Sequence, residues 1–206
     1  MSSRQDGVRR ASDRAKRTSL IVFSEGEKTE PIYLTHWYRL YRDRVIVTIA
    51  EHAETTPFEL VERAAAQRDY DLREERRGRG DAFHQYWCIF DVDEHPKIPE
   101  ALQLAESRSV NVALSGPNIE LWFLIHFESR TAYIDRHEAR RKAYALLDCG
   151  KALSTRALEL LTERFPVAKD RAQSLEQKHL GDGSPRPWNP SSGVWRLIDV
   201  IQEPPI

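Results

Sequence analysis

The chain has few cysteines and no long apolar runs, and each shortage argues against a class of protein. Only Cys88 and Cys149 occur among 206 residues, which favours two reduced thiols over a disulfide and is typical of a cytosolic protein. No stretch approaches the roughly 18 consecutive apolar residues that a transmembrane helix needs. The N-terminal residues lack the apolar core of a signal peptide. We therefore expect a soluble, cytoplasmic protein.

An excess of charge of one sign is also missing, since the formal net charge is −1 at pH 7. The charges are nevertheless unevenly spread. Residues 1–17 hold six basic and two acidic side chains, a local charge of +4. A second basic cluster, which we call the arginine cluster, comprises Arg73, Arg76, Arg77 and Arg79. Either group can contact nucleic-acid phosphates or form an ordinary solvated surface, so neither identifies a partner by itself.

What is present is an alternation of strand and helix patterns. Apolar runs predict strands near residues 20–23, 45–50, 84–90 and 110–116, and each is followed by a stretch with helical spacing. This alternation predicts an α/β fold with an open, mostly parallel sheet and helices on both faces. Only helices and turns are predicted after residue 130. We expect a basic tail (1–17), an α/β domain (18–130) and a helical extension (131–206) packed on that domain.

Acidic residues recur where the predicted strands end. Glu25 follows the first strand, Asp91 and Asp93 end the third, and Glu120 opens the helix after the fourth. Because ligands of open parallel sheets bind at the carboxyl ends of the strands, we expect these carboxylates to lie on one edge. Asp91 and Asp93 are two apart on an extended segment, so they point to one side about 6.5 Å apart.

Carboxylates that converge in this way either spread into water, take up protons or bind a divalent ion. Two of them about 4 Å apart repel by roughly 4 kcal/mol at an effective dielectric near 20, against a total stability of about 5–15 kcal/mol. Oxygen ligands without a Cys/His set favour Mg²⁺ or Mn²⁺ over Zn²⁺. Each acid alone can equally serve a helix N-terminus or a turn, and we expect His95 to face solvent. Together, Glu25, Asp91 and Asp93 predict a metal site.

Two motifs carry a family resemblance: SEGEKTEP at residues 24–31 and FDVDEH at residues 90–95. A Glu-Gly after the first strand with an Asp-x-Asp after a later one resembles the Toprim arrangement of topoisomerases, primases and overcoming-lysogenization-defect nucleases. IVFSEGEKTEPIY, FDVDEH, ALSGPNIELWFLIHF and NPSSGVWRLIDVI resemble, in order, the motifs of the RloB-like family over residues 18–202. Gly116-Pro117-Asn118 departs from that family's Ser-Asn-Pro-type turn, but the following acid is kept as Glu120.

The resemblance implies a Toprim-like fold and Mg²⁺-dependent cleavage of DNA or RNA, transfer RNA included. It also implies a role in bacterial defence against phage by abortive infection, with an ATPase encoded nearby as partner. On this hypothesis Glu25 is a general acid/base or metal ligand, Asp91 and Asp93 are metal ligands, and Glu120 is a further ligand. Lys28 adds positive charge at the transition state. The arginine cluster and the N-terminal residues guide the nucleic-acid backbone.

Two other classes of function remain open on the sequence. An Asp-x-Asp after a strand also serves glycosyltransferases and haloacid-dehalogenase-type phosphatases. The phosphatase pattern has Thr or Val where this chain has His95, and neither class explains SEGEKTEP. The second alternative is a non-catalytic subunit whose acids hold a structural ion and whose helices from residue 136 on dock an ATPase.

Overall fold

The strands form one five-stranded sheet in a computed structural model that describes residues 17–53, 56–92 and 95–204. Their order across the sheet is β2-β1-β3-β4-β5. Pairing between β1 and β2, β1 and β3, and β3 and β4 is parallel, and β5 runs antiparallel to β4. This confirms the predicted α/β fold with a mostly parallel sheet. The strands are β1 (Thr18–Ser24), β2 (Val45–Ile49), β3 (Gln85–Asp91), β4 (Asn111–Gly116) and β5 (Ser191–Ser192).

The helices of the described residues follow the predicted stretches closely. None of them is long and apolar enough to cross a bilayer. All six residues of α4 are buried, as its nearly uniform apolar sequence predicted. The helices are α1 (Thr29–Tyr41), α2 (Pro57–Arg76), α3 (Ile98–Ser107), α4 (Ile119–Leu124), α5 (Arg136–Leu147), α6 (Thr155–Glu163), α7 (Phe165–Gly181) and α8 (Val194–Gln202).

One prediction about the C-terminal part is wrong, because a strand does occur after residue 130. Ser191 and Ser192 pair with Gly116 and Ser115 at the outer edge of β4. The Gly193 N–H extends this contact by donating to the carbonyl oxygen of Leu114 at 2.8 Å. A two-residue strand of serines has no apolar alternation, so the open edge of β4 specifies it rather than a local sequence signal.

Side chains alternate between two hydrophobic cores, one on each face of the sheet. Leu20 and Val22 of β1 point into the core that contains α1, α4 and α8, whereas Ile21 and Phe23 point into the core built with α2 and α3. Helices α5, α6 and α7 also contribute buried residues to the first core. The C-terminal helices therefore share a core with the sheet.

The order of the strands leaves a crevice at the carboxyl ends of β1 and β3. The chain leaves β1 through α1 on one face and reaches β2 on one side of β1. It leaves β3 through α3 on the other face and reaches β4 on the opposite side. Adjacent parallel strands whose connections diverge in this way form the usual ligand-binding position of an open α/β sheet. Glu25 and Asp91 stand at this point.

Candidate active site at the carboxyl edge of the sheet

Glu25 and Asp91 are brought together although 66 residues separate them in the chain. The Glu25 N–H continues the sheet by donating to the Ile89 carbonyl oxygen at 3.1 Å. Its side chain turns towards the end of β3, where Oε2 accepts a hydrogen bond from the Asp91 N–H at 3.2 Å. The sheet therefore brings the Glu25 carboxylate to the backbone of Asp91, where β3 ends.

His95 belongs to the same point, which corrects the expectation that it faces solvent. Its Nε2 lies 2.9 Å from Glu25 Oε1, and about a third of its side chain is exposed. The two oxygens of Glu25 are thus held from two sides, by a backbone N–H and by an imidazole. Asp93 lies outside the described residues, as does Glu94, so the metal-ligand role of Asp93 stays a prediction.

Glu30 is a site residue that the sequence reasoning missed. It lies in the first turn of α1 and is only 6% exposed. Its carboxylate rests on Gly26 so closely that a Cβ built on that glycine would meet Oε2 at 2.0 Å. Burial raises the pKa of Glu30 to about 7, and the charges of Glu120 and Glu25 add to this, while backbone N–H groups of Glu30 and Gly26 oppose it. The only signal in the sequence was that Glu30 is the third acid within SEGEKTEP.

Glu120 lies beyond the carboxyl end of β4 and is 3% exposed. Its Oε1 accepts hydrogen bonds from Arg140 Nε at 3.1 Å and from the Tyr144 hydroxyl at 2.7 Å. Burial raises the pKa of Tyr144, and the bond to the Glu120 carboxylate raises it further. The predicted acid is therefore at the expected edge, and its charge is balanced by an arginine from α5.

The predicted basic residues occupy two different places. Lys28 is exposed and is the residue immediately before α1, on the same edge as Glu25. The arginine cluster lies at the end of α2, in the connection that leads to the start of β3. The start of β3 lies at the amino ends of the parallel strands, where His84 contacts Ser19. Seven residues of β3 span about 20 Å, so the structure does not bring the arginine cluster to the acids.

The donor chemistry of the edge fits a hard divalent cation. Glu25, Asp91, Glu30 and Glu120 offer carboxylate oxygens. Burial raises the pKa of Glu30, and the charges of Glu120 and Glu25 raise it further. Within residues 17–53, 56–92 and 95–204, no group of three or more His, Cys, Asp or Glu side chains has the arrangement of a metal site. The described residues alone therefore do not complete a metal site, and a cation at Glu25 and Asp91 would need further ligands.

Fold and edge together define a mostly parallel α/β protein of the Toprim-like type, with acids gathered where β1 and β3 end. Comparison with models of known families gives a match over residues 20–201 to the family described as RloB-like protein. The chain belongs to the RloB-like family. No curated protein and no solved structure matches it.

Proposed function

We propose that this protein is a Toprim-type nuclease that uses Mg²⁺ or Mn²⁺ to cleave phosphodiester bonds of DNA or RNA, transfer RNA included. We further propose that it acts in bacterial defence against phage by abortive infection. The observation that carries the proposal is the contact between Glu25 and Asp91 at the crevice between β1 and β3. Membership of the RloB-like family supports it. Glycosyltransferase or phosphatase chemistry would leave the position of Glu25 without a role.

Glu25, Asp91 and the sequence-predicted Asp93 are the residues that would hold the cation. When bound, the cation supplies positive charge to the phosphoryl oxygen and to the attacking and leaving oxygens. The protein itself fixes the reacting carboxylate, because the Asp91 N–H and the His95 ring hold both oxygens of Glu25. The contact between Glu25 Oε1 and His95 Nε2 also allows a proton to pass between the two side chains.

Two further side chains, Lys28 and Glu30, favour the binding of a phosphate at the carboxyl ends of the strands. Lys28 is exposed directly before the N-terminus of α1, where backbone N–H groups and the helix dipole favour an anion. Glu30 is partly protonated near neutral pH because its pKa is about 7. A neutral Glu30 lowers the negative charge that an incoming phosphate meets.

Cleavage of end-labelled single- and double-stranded DNA, RNA and transfer RNA tests the proposal. We expect products with Mg²⁺ or Mn²⁺ and none with EDTA. Glu25→Gln and Asp91→Asn should each lower the rate by about 10³-fold, as loss of a group that stabilises transition-state charge does. Glu27→Gln is the matched control, because Glu27 is an exposed acid in the same turn, and it should cleave normally.

The ATPase that the family resemblance implies is proposed as an activating partner. The cleavage assay is therefore run with the protein alone, and again after addition of ATP and the ATPase that is encoded nearby. Absence of cleavage under both conditions would remove the nuclease proposal, and so would normal cleavage by Glu25→Gln.

A further inference from the structure

Helix α5 is joined to the carboxyl edge through one buried carboxylate. The Glu120 side chain is 4% exposed and accepts both Arg140 Nε and the Tyr144 hydroxyl on the same oxygen. Arg140 and Tyr144 are four residues apart and so share one face of α5. A buried glutamate that binds an arginine and a tyrosine fixes the positions of both side chains.

The contact with Glu120 engages only one of the three nitrogens of the Arg140 guanidinium. Only Nε is bound to Glu120, and the Arg140 side chain is 41% exposed. Within the described part of the chain, no hydrogen-bond acceptor contacts its two terminal nitrogens. A partly exposed planar fork that is fixed at Nε by a carboxylate and keeps two NH₂ groups available suits the way in which arginine binds phosphate oxygens.

Arg140 also lies on the side of the molecule where the carboxyl ends of the strands and Glu25 are found. The charges of both Glu120 and Glu25 act on the buried Glu30 carboxylate, so both of these residues lie near it. Thr29, the first residue of α1, donates to the Lys151 carbonyl oxygen at 3.1 Å, and its side chain is near enough to Tyr144 to influence the pKa of that hydroxyl. The start of α1, which follows the turn that carries Glu25, therefore lies beside α5 and is bonded to the segment after it.

We propose that Arg140 binds a backbone phosphate of the nucleic-acid substrate and that Glu120 is a positioning residue for it rather than a metal ligand. The inference rests on the proposed function for the identity of the substrate, and it revises the role that the sequence suggested for Glu120. The ligand is a phosphodiester group, which DNA and RNA share. Glu120 orients the fork, and Tyr144 keeps the carboxylate in place.

Binding without cleavage tests this inference separately from the nuclease proposal. The anisotropy of fluorescein-labelled 20-nucleotide DNA and RNA strands is measured in EDTA over a range of salt concentrations. We expect Arg140→Gln to weaken binding about tenfold or more, as loss of a charge-assisted hydrogen bond does. The slope of log K against log salt should also fall by about 0.7 for a single strand. The DNA and RNA arms show which strand supplies the phosphate.

Three variants serve as controls. Arg141→Gln removes the neighbouring exposed charge and should bind within about twofold of the unmodified protein, since a solvated charge away from the contact contributes little. Arg140→Lys keeps the charge but loses the fork, so it should recover part of the affinity and also serves if Arg140→Gln fails to fold. Glu120→Gln keeps an oxygen acceptor and should leave the Mn²⁺ concentration that half-saturates cleavage unchanged.

Each result decides one of the two proposals. Binding that depends on Arg140 in a protein that never cleaves would remove the nuclease proposal and keep this one. Cleavage together with unchanged binding by both Arg140→Gln and Arg140→Lys would overturn this one alone. A Glu120→Gln protein that needs about tenfold more Mn²⁺ would show that Glu120 is a metal ligand, and the positioning role would be wrong.

Discussion

Charged side chains cluster at both ends of the strands: acids at the carboxyl ends, which we call the carboxyl edge, and arginines at the amino ends, which we call the amino edge. The two clusters differ in how far apart in the chain their interacting residues lie. At the carboxyl edge, Glu25 and Glu120 are held by groups 66 and 20 residues away in the chain. At the amino edge, Arg77 and Arg79 pair with Glu74, three and five residues away, and their side chains are 59% and 67% exposed. The first cluster is built by the tertiary fold, whereas the second is a solvated helix end.

The difference shows why a run of charges in a sequence is a weak predictor of a site. Solvated ion pairs within one helix turn contribute little to stability and constrain little geometry. Buried carboxylates raise one another's pKa and need partners, so their placement costs stability unless a ligand or a function uses it. Burial together with long sequence separation, rather than the number of charges, marks the carboxyl edge as functional.

The largest effect expected from this comparison is on the chemical step. Asp91→Asn should lower kcat by about 10³-fold, because it removes a charge at the reacting centre. The same change in charge magnitude at the other edge, Arg77→Gln, should leave kcat within about twofold. Single-turnover cleavage of a labelled strand measures both. A comparable loss of kcat in the two variants would break the distinction between the edges.

The next largest effect concerns stability and pH at Glu30. Its pKa is about 7 in the folded protein and 4.5 in an exposed glutamate, so the folded state binds more protons between these values. The contribution of Glu30 to stability should therefore fall as pH rises from 4.5 to 7, by up to about 3 kcal/mol.

Glu30→Gln removes this loss, because an amide does not ionise. The variant should gain stability relative to the unmodified protein across that window and keep a constant advantage above pH 7. Urea unfolding at pH 5, 6, 7 and 8 measures the difference, and Glu27→Gln should show none. A Glu30→Gln advantage that does not vary with pH would contradict the burial of an ionisable carboxyl group.

A smaller effect is expected at His95, which holds Glu25 through one hydrogen bond at 2.9 Å. His95→Ala should lower kcat about tenfold to a hundredfold, in the range for loss of a proton-transfer partner. His95→Gln retains a hydrogen-bond donor to Glu25 and should recover part of this loss if positioning is the main role. Equal activity of His95→Ala and the unmodified protein would show that the contact is incidental.

The smallest effects are expected in the arginine cluster. The double variant Arg76→Gln/Arg77→Gln should change the free energy of unfolding by no more than about 0.5 kcal/mol, as surface substitutions usually do. If the sequence prediction of phosphate contacts by this cluster is right, the salt slope of nucleic-acid binding should fall by about 0.9 per lost contact to duplex DNA. An unchanged slope would show that the cluster does not contact nucleic acid. A fall in kcat would show that the cluster takes part in the active site.

The sequence was sufficient for the parts of the fold that rest on local periodicity. Alternating apolar runs predicted β1 to β4, and the uniform apolarity of α4 predicted its burial. It was insufficient for β5, whose two serines carry no apolar pattern. Glu25 and Asp91 could be placed because parallel strands share an edge. Glu30, His95 and Arg140 could not, because their importance arises from contacts with residues distant in the chain.

The most direct measurement is the anomalous scattering of Mn²⁺ in crystals of the full-length protein. We expect a peak within coordination distance of both the Glu25 and Asp91 carboxylates, with Arg140 still bound to Glu120. A Mn²⁺ ion that instead takes Glu120 as a ligand and does not contact Glu25 would rule out the proposed metal site. Crystals whose only manganese lies away from the carboxyl ends of the strands would rule it out as well.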